Sequence, residues 1–263
     1  VGPGRSFPDN RSYAFRCGAD TCTDVTIQNS VIRDCAYGPS LLGRGSNKII
    51  RGNRITDMTG DAIKFMGKGV LITGNIVRDV IAPPGSADHC DYIANDHYDA
   101  RQIVIRNNDM VSSSNSSSAQ GIKLDAIGNY GGNGILDYHK SDIAIVNNLL
   151  VGGPGSARML YFNARGSGTP PSRLHYTNLL IEHNTVIKPD NILIKSVFTI
   201  DTNPYLKALL IRNNIVGEYN TGDWTHAITA PSLGVADYNI FFDGTGTEIL
   251  NAHSIKATDL GFA

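Results

Sequence analysis

The segment DHCDYIANDHYD sets four aspartates, Asp88, Asp91, Asp96 and Asp99, around two histidines, His89 and His97, in a chain of which only 18% is charged. Asp61, Lys64, Lys123, Asp125 and Arg158 flank it in the sequence. Histidine and carboxylate beside lysine are the groups that move protons, and such neighbours bring a pKa toward the working pH. A lysine or arginine next to them offsets negative charge as it develops on a substrate. The set fits abstraction of a proton adjacent to a carboxylate, with the anionic substrate held by ammonium groups. Any one of these residues could be an ordinary solvated loop side chain; their density as a group points to function. Asp61 and Asp91 would also fit the two-carboxylate hydrolysis of a glycosidic bond.

Short strands must position these groups. From Val70 to Asn108 the chain reads VLITGN, IVRDV, a break at APPGSADH, CDYIAND, a break at HYDARQ, and then IVIRNN. Each piece is too short for a helix, alternates apolar with polar residues and carries β-branched side chains. The template recurs at VTIQNSVI (25–32), IIRGNRIT (49–56), VLITGNIV (70–77), IVIRNNDM (103–110), IAIVNNLL (143–150), LLIEHNTV (179–186), LLIRNNIV (209–216) and, more loosely, VADYNIFF (235–242). The aligned polar position is Ser30, then Asn53, Asn75, Asn108, Asn148, Asn184, Asn214 and Asn239, at spacings of 22 to 40 residues. A fixed core with loops of varying length is the reading. Asn suits a tight bend because it tolerates the left-handed conformation, and stacked amides can bond from coil to coil. The expected fold is all-β: a single-stranded, right-handed parallel β-helix of about eight coils with an Asn ladder.

This repeat resembles the right-handed parallel β-helix of the pectate-lyase-like superfamily over residues 15 to 245. The superfamily holds polysaccharide lyases and hydrolases, uronate epimerases and phage tailspikes, and fold alone does not choose among them. Within that superfamily the residue set favours β-elimination on a uronic-acid polysaccharide, with hydrolysis, epimerisation or glycan binding without turnover as the alternatives. His89 or Lys123 would be the base, and Lys64 or Arg158 would hold the sugar carboxylate. Asp91 would orient His89 or join Asp61 in a Ca²⁺ site, since that ion takes hard oxygen ligands. Tyr92 and Tyr161 would stack on sugar rings, with His97 and Asp125 contacting substrate beside them. No motif of a particular lyase or epimerase branch is present, so no residue role is carried over.

The third strand of each coil carries the test of this site. GDAIKF (60–65), CDYIAN (90–95), GIKLD (121–125) and MLYFN (159–163) should stack in order. With Ile63, Ile93 and Ile122 inward, alternation sends Lys64 and Lys123 outward, with Ala94 between them and Tyr92 one step earlier.

Composition bounds the rest. Continuous repetition through 263 residues predicts one elongated domain, with 1–24 as cap or first coil and 245–263 as the closing cap. A net charge of −1 from 23 basic and 24 acidic residues makes no case for nucleic acid or an anionic membrane as partner. An acidic polysaccharide is the expected partner of a monomer or homotrimer. A trimer would need a wide apolar lateral patch, whereas core packing accounts for the Ile and Leu seen. Cys17 and Cys22 bracket a short loop and could form a disulfide, which suits an extracellular or periplasmic location or a virion surface. The start, without Met, reads as a mature or truncated form. Cys35 and Cys90 are expected as buried thiols in strands. The glycine-rich GNYGGNG (128–134) lacks what a phosphate loop needs, and Asn10 and Asn115 head formal glycosylation triplets. His139, His175, His183, His226 and His253 show no mutual spacing and read as turn or surface residues.

Overall fold

The computed structural model describes residues 12–18, 22–81, 90–95, 100–111, 119–124, 137–153, 158–162, 173–187, 196–200, 206–217, 234–242 and 253–257. The strands fall in turn onto three sheets, A, B and C, in which every pairing is parallel. Sheet A holds β1 (Tyr13–Cys17), β4 (Tyr37–Leu41), β7 (Ile63–Phe65), β10 (Cys90–Asn95), β13 (Ala119–Leu124), β16 (Arg158–Phe162) and β19 (Ser196–Ile200). Sheet B holds β2 (Val25–Gln28), β5 (Ser46–Arg51), β8 (Gly67–Thr73), β11 (Ala100–Arg106), β14 (Asp137–Val146), β17 (Arg173–Glu182), β20 (Leu206–Arg212) and β22 (Gly234–Asp237). Sheet C holds β3 (Val31–Arg33), β6 (Arg54–Thr56), β9 (Ile76–Arg78), β12 (Asp109–Val111), β15 (Leu149–Val151), β18 (Thr185–Ile187), β21 (Ile215–Gly217), β23 (Ile240–Phe242) and β24 (Ile255–Ala257). Each strand pairs with the corresponding strand of the next coil, so the chain is a parallel β-helix, with eight strands in sheet B.

The core is built from columns of like residues. In sheet B, Ile27, Ile50, Ile72, Ile105, Ile145, Ile181 and Ile211 stand in register on successive coils, and those from Ile50 onward are buried. Burying each such side chain contributes about 1.5–3 kcal/mol, repeated coil after coil. One member of the neighbouring inward column breaks the rule. Lys48 lies between Val25 and Val70 and is fully buried.

The Asn ladder closes the bend between sheets B and C. Each Oδ1 accepts from the backbone N–H and the Nδ2 of the Asn one coil earlier, as Asn108 does from Asn75 at 3.0 Å in both cases. Each Nδ2 from Asn53 to Asn239 also donates to an isoleucine carbonyl of the coil below, Ile50 for Asn75 and Ile72 for Asn108. The ladder begins where Ser30 N–H donates to Asn53 and ends where Asn239 N–H donates to the Ser254 hydroxyl, 3.2 Å away. Ser254 lies in the tail after Thr245, which the repeat does not reach in sequence but which returns as β24 on the edge of sheet C.

The bend geometry corrects one expectation. The left-handed conformation belongs to the residue before each ladder position: Asn29, Gly52, Gly74, Asn107, Asn147, His183, Asn213 and Tyr238 all have φ between 51° and 64°. The ladder Asn has an ordinary backbone and is chosen for its amide alone. A second left-handed column, including Asn47, Gly69, Gln102, Asp142 and Asn178, bends the entry of each sheet B strand.

Cys17 and Cys22 are bonded to one another, with Cα atoms 5.8 Å apart. Cys90 is buried in β10, but Cys35 lies in the turn after β3 and is only half-buried. We expect reduction of the disulfide, or Cys17→Ser with Cys22→Ser, to lower stability by about 2 kcal/mol through the entropy of so short a loop. The shift of the urea midpoint with and without reductant measures it.

Candidate functional site

The outer wall of sheet A brings the predicted lysines together. Ser40, Lys64, Ala94, Lys123 and Tyr161 occupy one register column on five successive coils. Ile63, Ile93, Ile122 and Leu160 beside them are core residues, so alternation turns the lysine column outward. Lys64 and Lys123 are thus on the same side of the rod, separated by one coil.

The strands of sheet A are not straight up to this column. The chain bends at Ala62, between Asp61 and Ile63, which lets Lys64 Nζ donate to Asp61 Oδ2 at 3.0 Å across a core residue. The sheet A ladder is interrupted at the same level in the next coils, between Asp91↔Gln120 and Ile93↔Ile122. Gly121 lies at that break because a Cβ there would come 2.0 Å from the Met159 carbonyl oxygen. The bend corrects Tyr92, which alternation carried onto the outer wall: it is fully buried in the core cluster and offers no ring to a sugar.

Asp61, Lys64, Asp91 and Lys123 form two ion pairs on adjoining coils. Asp61 Oδ2 faces Lys64, while its Oδ1 accepts the Asp91 backbone N–H at 3.0 Å. Lys123 Nζ stands 3.7 Å from Asp91 Oδ2, and both side chains are 1% exposed. The Lys64 and Asp61 side chains are 21% and 8% exposed, so water reaches the wall at this pair. Gln120 adjoins Asp91 in register and is buried, and among the described residues no donor reaches its Oε1. Both ammonium groups already face a carboxylate, so the wall is close to neutral rather than the cationic floor expected. Burying an ion pair costs several kcal/mol of desolvation per ion, more than fold stability alone would select for.

Tyr161 follows Lys123 one coil on and is half-buried. Arg158 lies on β16, its backbone paired with Gln120 and Ser196. His89, His97 and Asp125 lie outside the described residues, as do Asp88, Asp96, Asp99, His226, GNYGGNG and the two glycosylation triplets. Among the described residues no three His, Cys, Asp or Glu side chains converge as a metal site. Asp61 and Asp91 turn a carboxylate oxygen to an ammonium group, so a Ca²⁺ ion between them would have to displace Lys64 or Lys123.

Three things escaped sequence reasoning. Lys140, buried on β14, donates to the backbone and side-chain oxygens of Asn95 and ties the end of β10 to the next coil. His139 and His175 come opposite one another in register, although their spacing of 36 residues shows nothing until the coils are wound. At the last coil His253 Nδ1 lies 2.7 Å from Asp237 Oδ2, and its ring stacks on Tyr238 at 4.6 Å. The hydrogen bond with His253 holds the Asp237 carboxyl below its ordinary pKa.

Fold and site together define a parallel β-helix bearing a sheltered Asp–Lys wall. Compared with known proteins, the chain matches no family model, no curated sequence and no solved structure.

Proposed function

We propose that this protein is a secreted polysaccharide lyase of pectate-lyase-like kind, cleaving a uronic-acid polysaccharide by β-elimination on the outer wall of sheet A. The observation that carries the reading is the Lys64–Ala94–Lys123–Tyr161 column with its two partner aspartates, four ionisable groups sheltered on the outside of a core that has no need of them. Lys123 is the candidate base for the proton beside the sugar carboxylate, acting as the free amine once its ammonium proton has passed to Asp91. Lys64, at the water-accessible end, exchanges Asp61 for that carboxylate and offsets its developing charge. Tyr161 then lies one coil further on, within the same column, to contact the next sugar. The repeat's resemblance to β-helix lyases supports this reading.

A hydrolytic reading draws on one observation of its own: Asp61 and Asp91 are neighbours joined through the Asp91 amide. Products separate the two. Elimination leaves an unsaturated sugar end that absorbs in the ultraviolet, hydrolysis leaves none, and epimerisation changes the sugar without cutting.

The experiment is incubation with a panel of acidic polysaccharides, with and without chelator, followed by product analysis. On a substrate found that way, Lys123→Met and Lys64→Ala should each lower kcat/KM by about 100-fold or more, as loss of a proton-transfer or charge-stabilising group does. Full turnover by both variants would place the chemistry elsewhere, and binding without turnover by the wild type would favour a tailspike-like role.

A further inference from the structure

Sheet B carries apolar side chains on its outside as well as its inside. Ile49, Leu71, Val104, Ala144, Leu180 and Leu210 follow one another in register on six successive coils. Each has an inward residue on either side in its strand, and all six are half-buried. In sequence they are indistinguishable from core, because apolar residues run through the strand without a polar partner on the alternate position. Six coils at about 4.8 Å each make a continuous apolar ribbon of about 24 Å, which on a soluble surface marks a contact face.

The charges bordering the ribbon say what covers it. The next outward column reads Arg51, Thr73, Arg106, Val146, Glu182, Arg212 and Asp237 from one end of the rod to the other. Arg51 and Arg106 are exposed in the amino-terminal half, and the acids stand in the carboxy-terminal half. The column is therefore complementary to its own reverse.

We propose that two copies of this chain pair through the outer faces of sheet B, with the rods antiparallel about a two-fold axis running along β14. That axis brings each column against itself reversed. Arg51 meets Asp237 of the second copy, Arg106 meets Glu182, Leu71 meets Leu210, Val104 meets Leu180, and Ala144 meets its own copy at the centre. The small alanine lets the sheets approach there. Asp142, exposed on β14, meets its own copy on the axis, a like-charge match, with the second copy's Arg101 one coil away. Against it stand two opposite-charge matches in each half. Parallel rods, with the axis along the ribbon, would instead set Arg51 against Asn47, Arg106 against Gln102 and Glu182 against Asn178, with no opposite charges paired. The face measures about 20 Å by 29 Å, roughly 600 Å² per copy, at the lower end for a specific dimer. This inference is independent of the chemistry proposed for sheet A.

Sedimentation equilibrium across the micromolar range tests the pairing. The wild type should reach twice the chain mass, and Leu71→Arg should weaken association by about 30-fold or more, as loss of a central apolar contact does. Its far-ultraviolet dichroism should not change, because Leu71 is outside the core. Geometry is read by oxidative cross-linking. Leu71→Cys mixed with Leu210→Cys should link to each other, and neither should link to itself beyond the wild-type background. Those smaller, uncharged substitutions decide the matter alone if Leu71→Arg does not fold. A wild type that stays monomeric, a dimer indifferent to Leu71→Arg, or self-linking of Leu71→Cys would each overturn the proposal.

Discussion

Replacing Asn108 by alanine is expected to lower the stability of this protein by about 3–5 kcal/mol, whereas replacing its neighbour Asn107 by glycine should change it by only a few tenths. Asn108 Oδ1 accepts from both the N–H and the Nδ2 of Asn75, and its Nδ2 donates to the Ile72 carbonyl and to Asn148 Oδ1. Alanine removes all four bonds. Asn75 Nδ2 keeps the Ile50 carbonyl, Asn148 Oδ1 keeps the Asn108 N–H and the Ile72 carbonyl keeps its place in the sheet B ladder, so the one group left without a partner is the Asn75 N–H. A buried, unsatisfied N–H costs about 1–3 kcal/mol, each of the other lost bonds adds about 1 kcal/mol, and nothing polar can reach between stacked coils to replace the amide. Asn107 is on the outside of the same bend with φ at 55°, and its side chain only receives the exposed Asn147 amide. Glycine adopts that backbone without strain, while Asn107→Val should cost about 1–2 kcal/mol. Urea unfolding of the three variants measures the contrast. Equal midpoints for Asn108→Ala and Asn107→Gly would mean that the ladder amides do not hold the coils.

Stability is also expected to rise with pH between about 8 and 10.5, by an amount on the order of 3 kcal/mol, and Lys48 is the cause. Its side chain is fully buried in an apolar column, and burial pulls its pKa from 10.5 to about 8. Nζ donates to the Gly43 carbonyl, to Met66 at 2.6 Å and, more weakly, to Leu41 at 3.5 Å. These carbonyls hold the charge only in part. As pH rises past about 8 the folded chain gives up the proton, while the unfolded chain keeps it to about 10.5. In that window the unfolded state binds more protons, so stability increases with pH and is complete above the unfolded value. The quantity to measure is the difference between wild type and Lys48→Met, which isolates this one group. The wild-type urea midpoint should climb relative to the variant across the window. Parallel curves would show that Lys48 keeps its proton in the folded state.

The three lysines differ in how far the sequence announces them. Lys64 and Lys123 follow aligned isoleucines in short strands, and alternation from Ile63 and Ile122 is enough to put them on one wall. Lys48 precedes Ile49 and Ile50 in a segment where every side chain could be outward or inward, and only the second sheet of neighbours shows it among Val25 and Val70. Tyr92 failed for a related reason. It lies at the break in β10, where the strand no longer alternates, so counting from Ile93 gives the wrong face. His253 finds its partner Asp237 only across coils, and the register of His139 with His175 exists only once the coils are wound.

Winding, strand order and the ladder were determined by the sequence alone, because each rests on local signals: period-2 strands, a bend and one amide repeated at every coil from Asn53 to Asn239. The facing of side chains near a bend, the partner of each charge, and the apolar ribbon from Ile49 to Leu210 were decided only by tertiary structure. The physical reason is distance along the chain. Successive ladder positions from Ser30 to Asn239 are 22 to 40 residues apart, so what a side chain touches depends on how every intervening loop returns the chain to register.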